Sequence, residues 1–138
     1  MTSSTKKRVA QIRHGQVPNG YRLTRCGIVP SQWDIVSIGD IGIIVTGSTP
    51  PTVIRDYYAG DRLFITPADF TEGIYIDNSN RTVSDSAYGV SRVIPPDSIY
   101  VVCIGATVGK TNMCRSVAIC NQQINAIVPG DGYCNHFL

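Results

Sequence analysis

Ile99-Tyr100-Val101-Val102-Cys103-Ile104, followed by Gly105-Ala106-Thr107-Val108-Gly109-Lys110-Thr111, is the stretch on which the fold class turns. The apolar, β-branched run predicts a buried strand. What comes after it separates two architectures. The ending Gly-Lys-Thr is that of a nucleotide phosphate loop, which would open a helix. Such a loop needs four residues between its two glycines, so that successive N–H groups wrap the phosphates. Here Gly105 and Gly109 are separated by three residues, Ile104 stands where the first glycine belongs, and Thr111–Ala118 has no helical apolar period. The glycines therefore predict a tight, bulged turn between two strands, with Lys110 at its exposed edge.

The same signals extend outward. Short runs rich in Val, Ile and Tyr alternate with Gly, Pro, Asn, Asp and Ser from Ile35 onward, which is how strands and turns read. Strands are expected at Asp34–Val36, Ile43–Thr46, Leu63–Thr66, Arg81–Val83, Ser98–Ile104, Lys110–Met113, Val117–Cys120 and Ile124–Val128. Ser37–Ile41 predicts one helical turn, and Ser84–Tyr88 another with Ser84 as its N-cap. Pro95-Pro96 marks a turn, because proline supplies no ladder donor to a central strand. No repeat, heptad or long amphipathic helix interrupts this pattern. The fold class is α+β: a β-rich mixed domain with a few short helices.

The whole chain of 138 residues supports one domain with a modest core, and 43% apolar residues is ordinary for a globular protein. Its longest apolar runs, Ile41–Val45 and Ile99–Ile104, are far too short to cross a bilayer. Polar residues and Gly15 follow Lys6, Lys7 and Arg8 where a signal peptide needs an apolar stretch. A cytoplasmic protein is expected. Met1–Gln16 is polar and without apolar period, so residues 1–19 read as a basic flexible tail, either an inert terminus or an arm touching phosphates. The chain closes on Asn135-His136-Phe137-Leu138, which reads as the start of a buried element that does not continue.

Charge is unevenly placed. Residues 1–30 hold six cations and no acid, whereas residues 31–138 hold six cations against all ten acids, a net −4. Binding by phosphate neutralisation alone would call for a more basic domain. A nucleic-acid reading must rest on local residues, or on a basic partner. The five cysteines, Cys26, Cys103, Cys114, Cys120 and Cys134, contain no CxxC pair, and neither His14 nor His136 lies near a suitable pair. Zinc is not expected. Cys103 and Cys120, inside apolar runs, read as buried reduced thiols.

Catalytic patterns are sparse. Glu72 is the sole glutamate and both histidines lie in terminal regions, so no carboxylate pair or nucleophile with a histidine base is evident. Asp56, Asp61, Asp69 and Asp77 lack calcium-loop spacing and read as turn and capping residues. What remains are loops carrying groups that suit base edges and phosphates. Arg55, Arg62, Asn121, Gln122 and Gln123 are types that pair bidentately with guanine or adenine. Ser48, Thr49 and the glycine-turn backbone suit phosphate contacts. The same residues are compatible with a β-rich protein-interaction module and, less well, with a nucleotide-binding enzyme.

Read in order, further motifs resemble the target-recognition domain of type I restriction-modification specificity subunits. Gly20-Tyr21, Thr24, Gly27-Ile28-Val29-Pro30 and Trp33 are similar to the lead-in of that family. Gly47-Ser48-Thr49-Pro50 matches its Gly-Ser/Thr-Thr-Pro turn, and Phe64-Ile65-Thr66-Pro67-Ala68-Asp69 its apolar segment ending in aspartate. Val83-Ser84, then Val93-Ile94-Pro95-Pro96-Asp97-Ser98-Ile99, follows its helix, proline turn and strand. Gly105–Lys110 matches its glycine turn, and Asn121-Gln122 with Ile127-Val128-Pro129 its closing strand.

The resemblance spans about residues 20–138 and implies a non-catalytic domain with a curved sheet that reads one half of a bipartite double-stranded DNA site. It implies as partners a methylation subunit and a restriction subunit, which carry the S-adenosylmethionine, ATP and Mg; no cofactor and no metal is expected on this chain. The family continues into a spacer helix and a second domain, so this chain reads as truncated, and a degenerate remnant is an alternative. As DNA-binding residues the expectation is Ser48, Thr49, Arg55, Tyr57, Arg62, Thr107, Lys110, Asn121 and Gln122, on the Gly47–Arg62 loop, the glycine turn and the closing strand, with the Asp69–Asn80 loop beside them. For Asn121 and Gln122, hydrogen bonds that hold strand and turn are an equal reading.

Overall fold

A computed structural model describes residues 2–137. The chain divides into two compact units between Ser37 and Ile38, downstream of the 19/20 boundary expected from sequence.

The first unit contains α1 (Ser3–Arg13), then a hairpin of β1 (Tyr21–Thr24) and β2 (Gly27–Pro30). Neither element was expected from sequence. Thr2 caps α1 through a hydroxyl that accepts from the Thr5 N–H, and Arg13 sits in the last turn, where a cation suits the helix dipole. The helix buries no residue, which is why no apolar period betrayed it. The hairpin is closed by Gly27 at φ 108°, with the Thr24 hydroxyl donating to the Gly27 carbonyl at 2.8 Å.

The second unit carries α2 (Ile38–Ile41), β3 (Gly42–Thr46), β4 (Arg62–Ile65), β5 (Arg81–Val83), α3 (Asp85–Gly89), β6 (Ile99–Val102), β7 (Thr111–Met113), β8 (Ile119–Cys120) and β9 (Ile124–Pro129). Two short 3₁₀ turns, Arg55–Tyr58 and Pro67–Asp69, lie in its loops. The α+β class is as expected. Its strands form a four-stranded antiparallel sheet ordered β3-β9-β6-β7 and a three-stranded sheet ordered β5-β4-β8, in which β4 and β8 are parallel. Strands β4, β6, β8 and β9 supply most of the main core, including Ile65, Tyr100, Val102, Cys120, Ile124 and Ala126, with Phe70, Ile76 and Ile94 from the loops. A smaller cluster of Phe64, Val83, Ala87 and Ile119 lies under α3.

Several expectations need correction. Asp34–Val36 is not a strand: Asp34 and Val36 are exposed and pair with nothing in a ladder. Cys103 is exposed, because β6 ends at Val102; Cys114 and Cys120 are the buried thiols. Ser84 occupies the N-cap position of α3, yet its hydroxyl bonds Ser86 and leaves the cap unmade. Pro95-Pro96 does make a turn, closed by the Ser98 hydroxyl on the Pro95 carbonyl at 2.8 Å, with Asp97 at φ 58°. At the C-terminal end Phe137 is 73% exposed; Leu138 lies outside the described residues.

Candidate nucleic-acid interface

Strand register gathers three of the loops named above. Thr46 of β3 pairs with Asn125 of β9, Val102 of β6 with Ile124, and Val101 with Thr111 of β7. The β3–β4 loop, Asn121–Gln123 and the Cys103–Lys110 turn therefore emerge at one end of the four-stranded sheet.

The glycine turn is built as its spacing implies. Gly105 and Gly109 have φ of 111° and 90°, and the Gly109 N–H donates to the Val102 carbonyl at 2.9 Å. The chain then enters β7, a strand, where a nucleotide phosphate loop would open a helix. Thr107 is half-buried on this turn, and Lys110 faces Glu72 at 3.7 Å across an exposed pair. Such a pair holds a lysine only weakly.

The Gly47-Ser48-Thr49 turn packs against the segment after β8. A Cβ on Gly47 would lie 2.1 Å from the Asn121 carbonyl oxygen, so only glycine permits this approach. The Ser48 N–H donates to the Cys120 carbonyl, and the Thr49 hydroxyl donates to the Gln122 side-chain carbonyl. Asn121 accepts from the Gln123 N–H and donates to its side-chain oxygen at 2.9 Å. Ser48, Thr49, Asn121 and Gln122 are thus brought together, and all four bond within or between these two segments. The Asn121 bonds are of the kind that hold strand and turn. Arg92, which no sequence pattern singled out, completes the cluster. Its N–H reaches the Ser48 hydroxyl, and its guanidinium donates to the Thr46 carbonyl at 2.9 Å. A contact across 44 residues of sequence leaves no local signal.

Arg55, Tyr57 and Arg62 lie apart from that cluster, on the descending half of the loop and the start of β4. Tyr57 packs against the cluster under α3, and its carbonyl accepts from the Ser84 N–H at 2.9 Å. Arg62 pairs with Asp85 at 2.7 Å, a contact that raises its pKa further and keeps it charged. Most other cations of this unit are engaged as well. Arg115 bonds Asp77 and lies 3.6 Å from the Tyr75 ring centre; Arg81 lies over Tyr58 and Phe64. The guanidinium of Arg55 has no hydrogen bond or ion pair among the described residues, and it is exposed.

Asp69 serves the fold. Asp69 is buried and accepts from the Thr66 N–H and hydroxyl and from the Asn80 N–H, each at 2.7 Å, a capping box that closes the turn after β4. No group of three or more His, Cys, Asp or Glu among the described residues is placed to hold a metal. An open depression of about 320 Å³ lies over β7 and is lined by Ile74, Asn112 and His136 among others. Asn112 is committed there to the Thr71 N–H and the Gly73 carbonyl, and His136 to the Tyr75 hydroxyl.

A strand-rich domain of this topology, with glycine turns and polar loops gathered at one sheet end, belongs to a recognisable class. The type I restriction modification DNA specificity domain matches residues 30–138. This chain belongs to that family. It is 33% identical over 122 residues to the specificity subunit of the type I restriction enzyme MjaIX of Methanocaldococcus jannaschii, an alignment covering 86% of this chain and 28% of the relative. It is 36% identical over 112 residues to the HindI specificity subunit of Haemophilus influenzae, covering 80% and 24%. The chain thus spans about a quarter of these curated relatives. Among solved structures, the HsdS subunit of Thermoanaerobacter tengcongensis superposes with a TM-score of 0.65 at 19% identity, over 97% of this chain and 32% of that one. A chain from a structure of the type I R-M system follows at 0.54, again at 19% identity, covering 96% and 31%. At that identity the two structures speak for the fold.

Proposed function

We propose that this chain reads DNA sequence for a type I restriction-modification system, contacting one half of a bipartite duplex site and carrying no catalytic step itself. Family membership across residues 30–138 carries the reading. The gathering of the Gly47, Asn121 and glycine-turn segments at one sheet end supports it, since this supplies a surface of hydroxyls, amides and turn N–H groups suited to phosphates and base edges. Ser48, Thr49, Asn121 and Gln122 hold the surface in shape, Lys110 and Thr107 lie on the glycine turn beside it, and Arg55 is exposed farther along the β3–β4 loop; Arg62 and Tyr57 brace the loop. The basic first unit adds attraction to phosphate that the acidic second unit lacks.

The partners that follow are a methylation subunit and a restriction subunit, with S-adenosylmethionine, ATP and Mg held by them. The glycine turn of this chain, continuing into a strand, does not fit a nucleotide phosphate. No helix among the described residues is long and apolar enough to cross a membrane, and the cytoplasm is the proposed location. Selection from a randomised duplex pool tests the reading. Recurrent enrichment of one short sequence is expected, and a pool of unchanged composition would reject it.

A further inference from the structure

The β3–β4 loop is held at its base and bare at its tip. Three contacts fix the base: the Gly47 approach to Asn121, the Thr49–Gln122 bond, and the Tyr58 hydroxyl donating to the Pro50 carbonyl at 2.7 Å. Between them the Ile54 N–H closes a turn onto the Pro51 carbonyl at 3.2 Å, with Thr52 and Val53 at its corners. Val53 is 87% exposed, the most exposed large apolar side chain among the described residues, and Ile54 is 41% exposed. Isolated exposed apolar residues need no explanation. Here, however, the apolar corner is set by a braced turn and is followed two residues later by Arg55, whose guanidinium has no partner among the described residues. No other charged residue occurs from Pro51 to Arg55.

An unpaired guanidinium beside a small apolar tip matches one pair of groups on a DNA edge. In the major groove guanine presents O6 and N7 to a guanidinium fork, and the thymine 5-methyl is the one apolar feature. We propose that Val53 is a specificity-determining residue that packs on the 5-methyl of a thymine beside the base addressed by Arg55. This rests on the DNA reading above and assigns the tip its ligand chemistry. A protein-binding tip is the competing use, and the test separates them.

The probes are the duplex enriched from the randomised pool by the unaltered chain, and the same duplex with deoxyuridine replacing each thymine in turn. Removing the 5-methyl at one thymine should weaken binding by about fourfold, the worth of one buried methyl-sized group. Val53→Ala should lose the same factor on the thymine duplex and show no further loss with deoxyuridine, while Val53→Thr, which keeps one methyl, retains part of the preference. Because the side chain is so exposed, neither variant threatens the fold. If the chain enriches a sequence but Val53→Ala keeps full methyl sensitivity, or weakens every duplex alike, the inference fails and the DNA reading stands; a protein-docking tip is then the better account. If nothing is enriched, both fail.

Discussion

The hydroxyl of Tyr100 is buried with no hydrogen-bond partner among the described residues, in the core beside Cys114 and Cys120. An unpaired buried hydroxyl costs about 1–3 kcal/mol. Tyr100→Phe should therefore leave stability to urea unchanged or raise it by about 1 kcal/mol, and a clear loss would reveal a partner. Burial also pushes the Cys120 thiol from its ordinary 9.0 to about 12, and the Tyr88 phenol from 10.0 to about 12. Between those limits the folded chain keeps protons that the unfolded chain releases. Their contribution is whole below about pH 9 and drains away as pH rises towards 12. In urea titrations from about pH 7 to about pH 11, Cys120→Ala should lose stability less steeply than the unaltered chain; equal slopes would contradict the assignment. At the surface, Arg55→Ala should cost about 1–3 kcal/mol on the selected duplex and relax preference at a single base pair. Lys110→Ala should instead weaken all duplexes alike. Binding isotherms on the selected site and its single-base variants distinguish the two patterns.

The elements that bury a strand face were legible from sequence, and those made by turns or by distant contacts were not. Runs such as Ile99–Val102 and Ile124–Pro129 announce themselves because β-branched side chains must alternate into a core, and the glycine spacing at 105 and 109 pointed to a turn between two strands, which is what joins β6 to β7. Helix α1 buries nothing, so its residues carry no period to detect. Asp34–Val36 has the residue types of a strand but no partner strand beside it. The candidate surface was legible only in part: hydroxyls and amides were visible as types, whereas the commitment of Asn121 to Gln123, and the arrival of Arg92 at Ser48, depend on the closed sheet. That commitment has a consequence. Asn121→Ala should reduce stability by about 1–2 kcal/mol in denaturant without altering preference at any one base; a change confined to one base pair would make Asn121 a reader after all. Gly47→Ala, which drives a Cβ against the Asn121 carbonyl, should destabilise by about 3 kcal/mol or more.

At the scale of the molecule, the excess of positive charge and the proposed reading surface fall in different parts of the chain. Residues 1–30 hold six cations and no acid, while the remainder is net −4. On the proposed function the first unit supplies sequence-independent attraction and the second supplies discrimination. Replacing Lys6, Lys7, Arg8 and Arg13 by alanine should flatten the dependence of log affinity on log salt by up to about 0.9 for each phosphate no longer neutralised, and should leave the order of preferred sequences intact. A change in that order would tie these residues to base reading. The central claim, that this chain discriminates among DNA sequences, is tested most directly by comparing its affinity for the selected duplex with that for each single base-pair variant at fixed physiological salt. Sequence reading predicts losses of about 1–3 kcal/mol at a few contiguous positions and none elsewhere; equal affinity for every variant would contradict it.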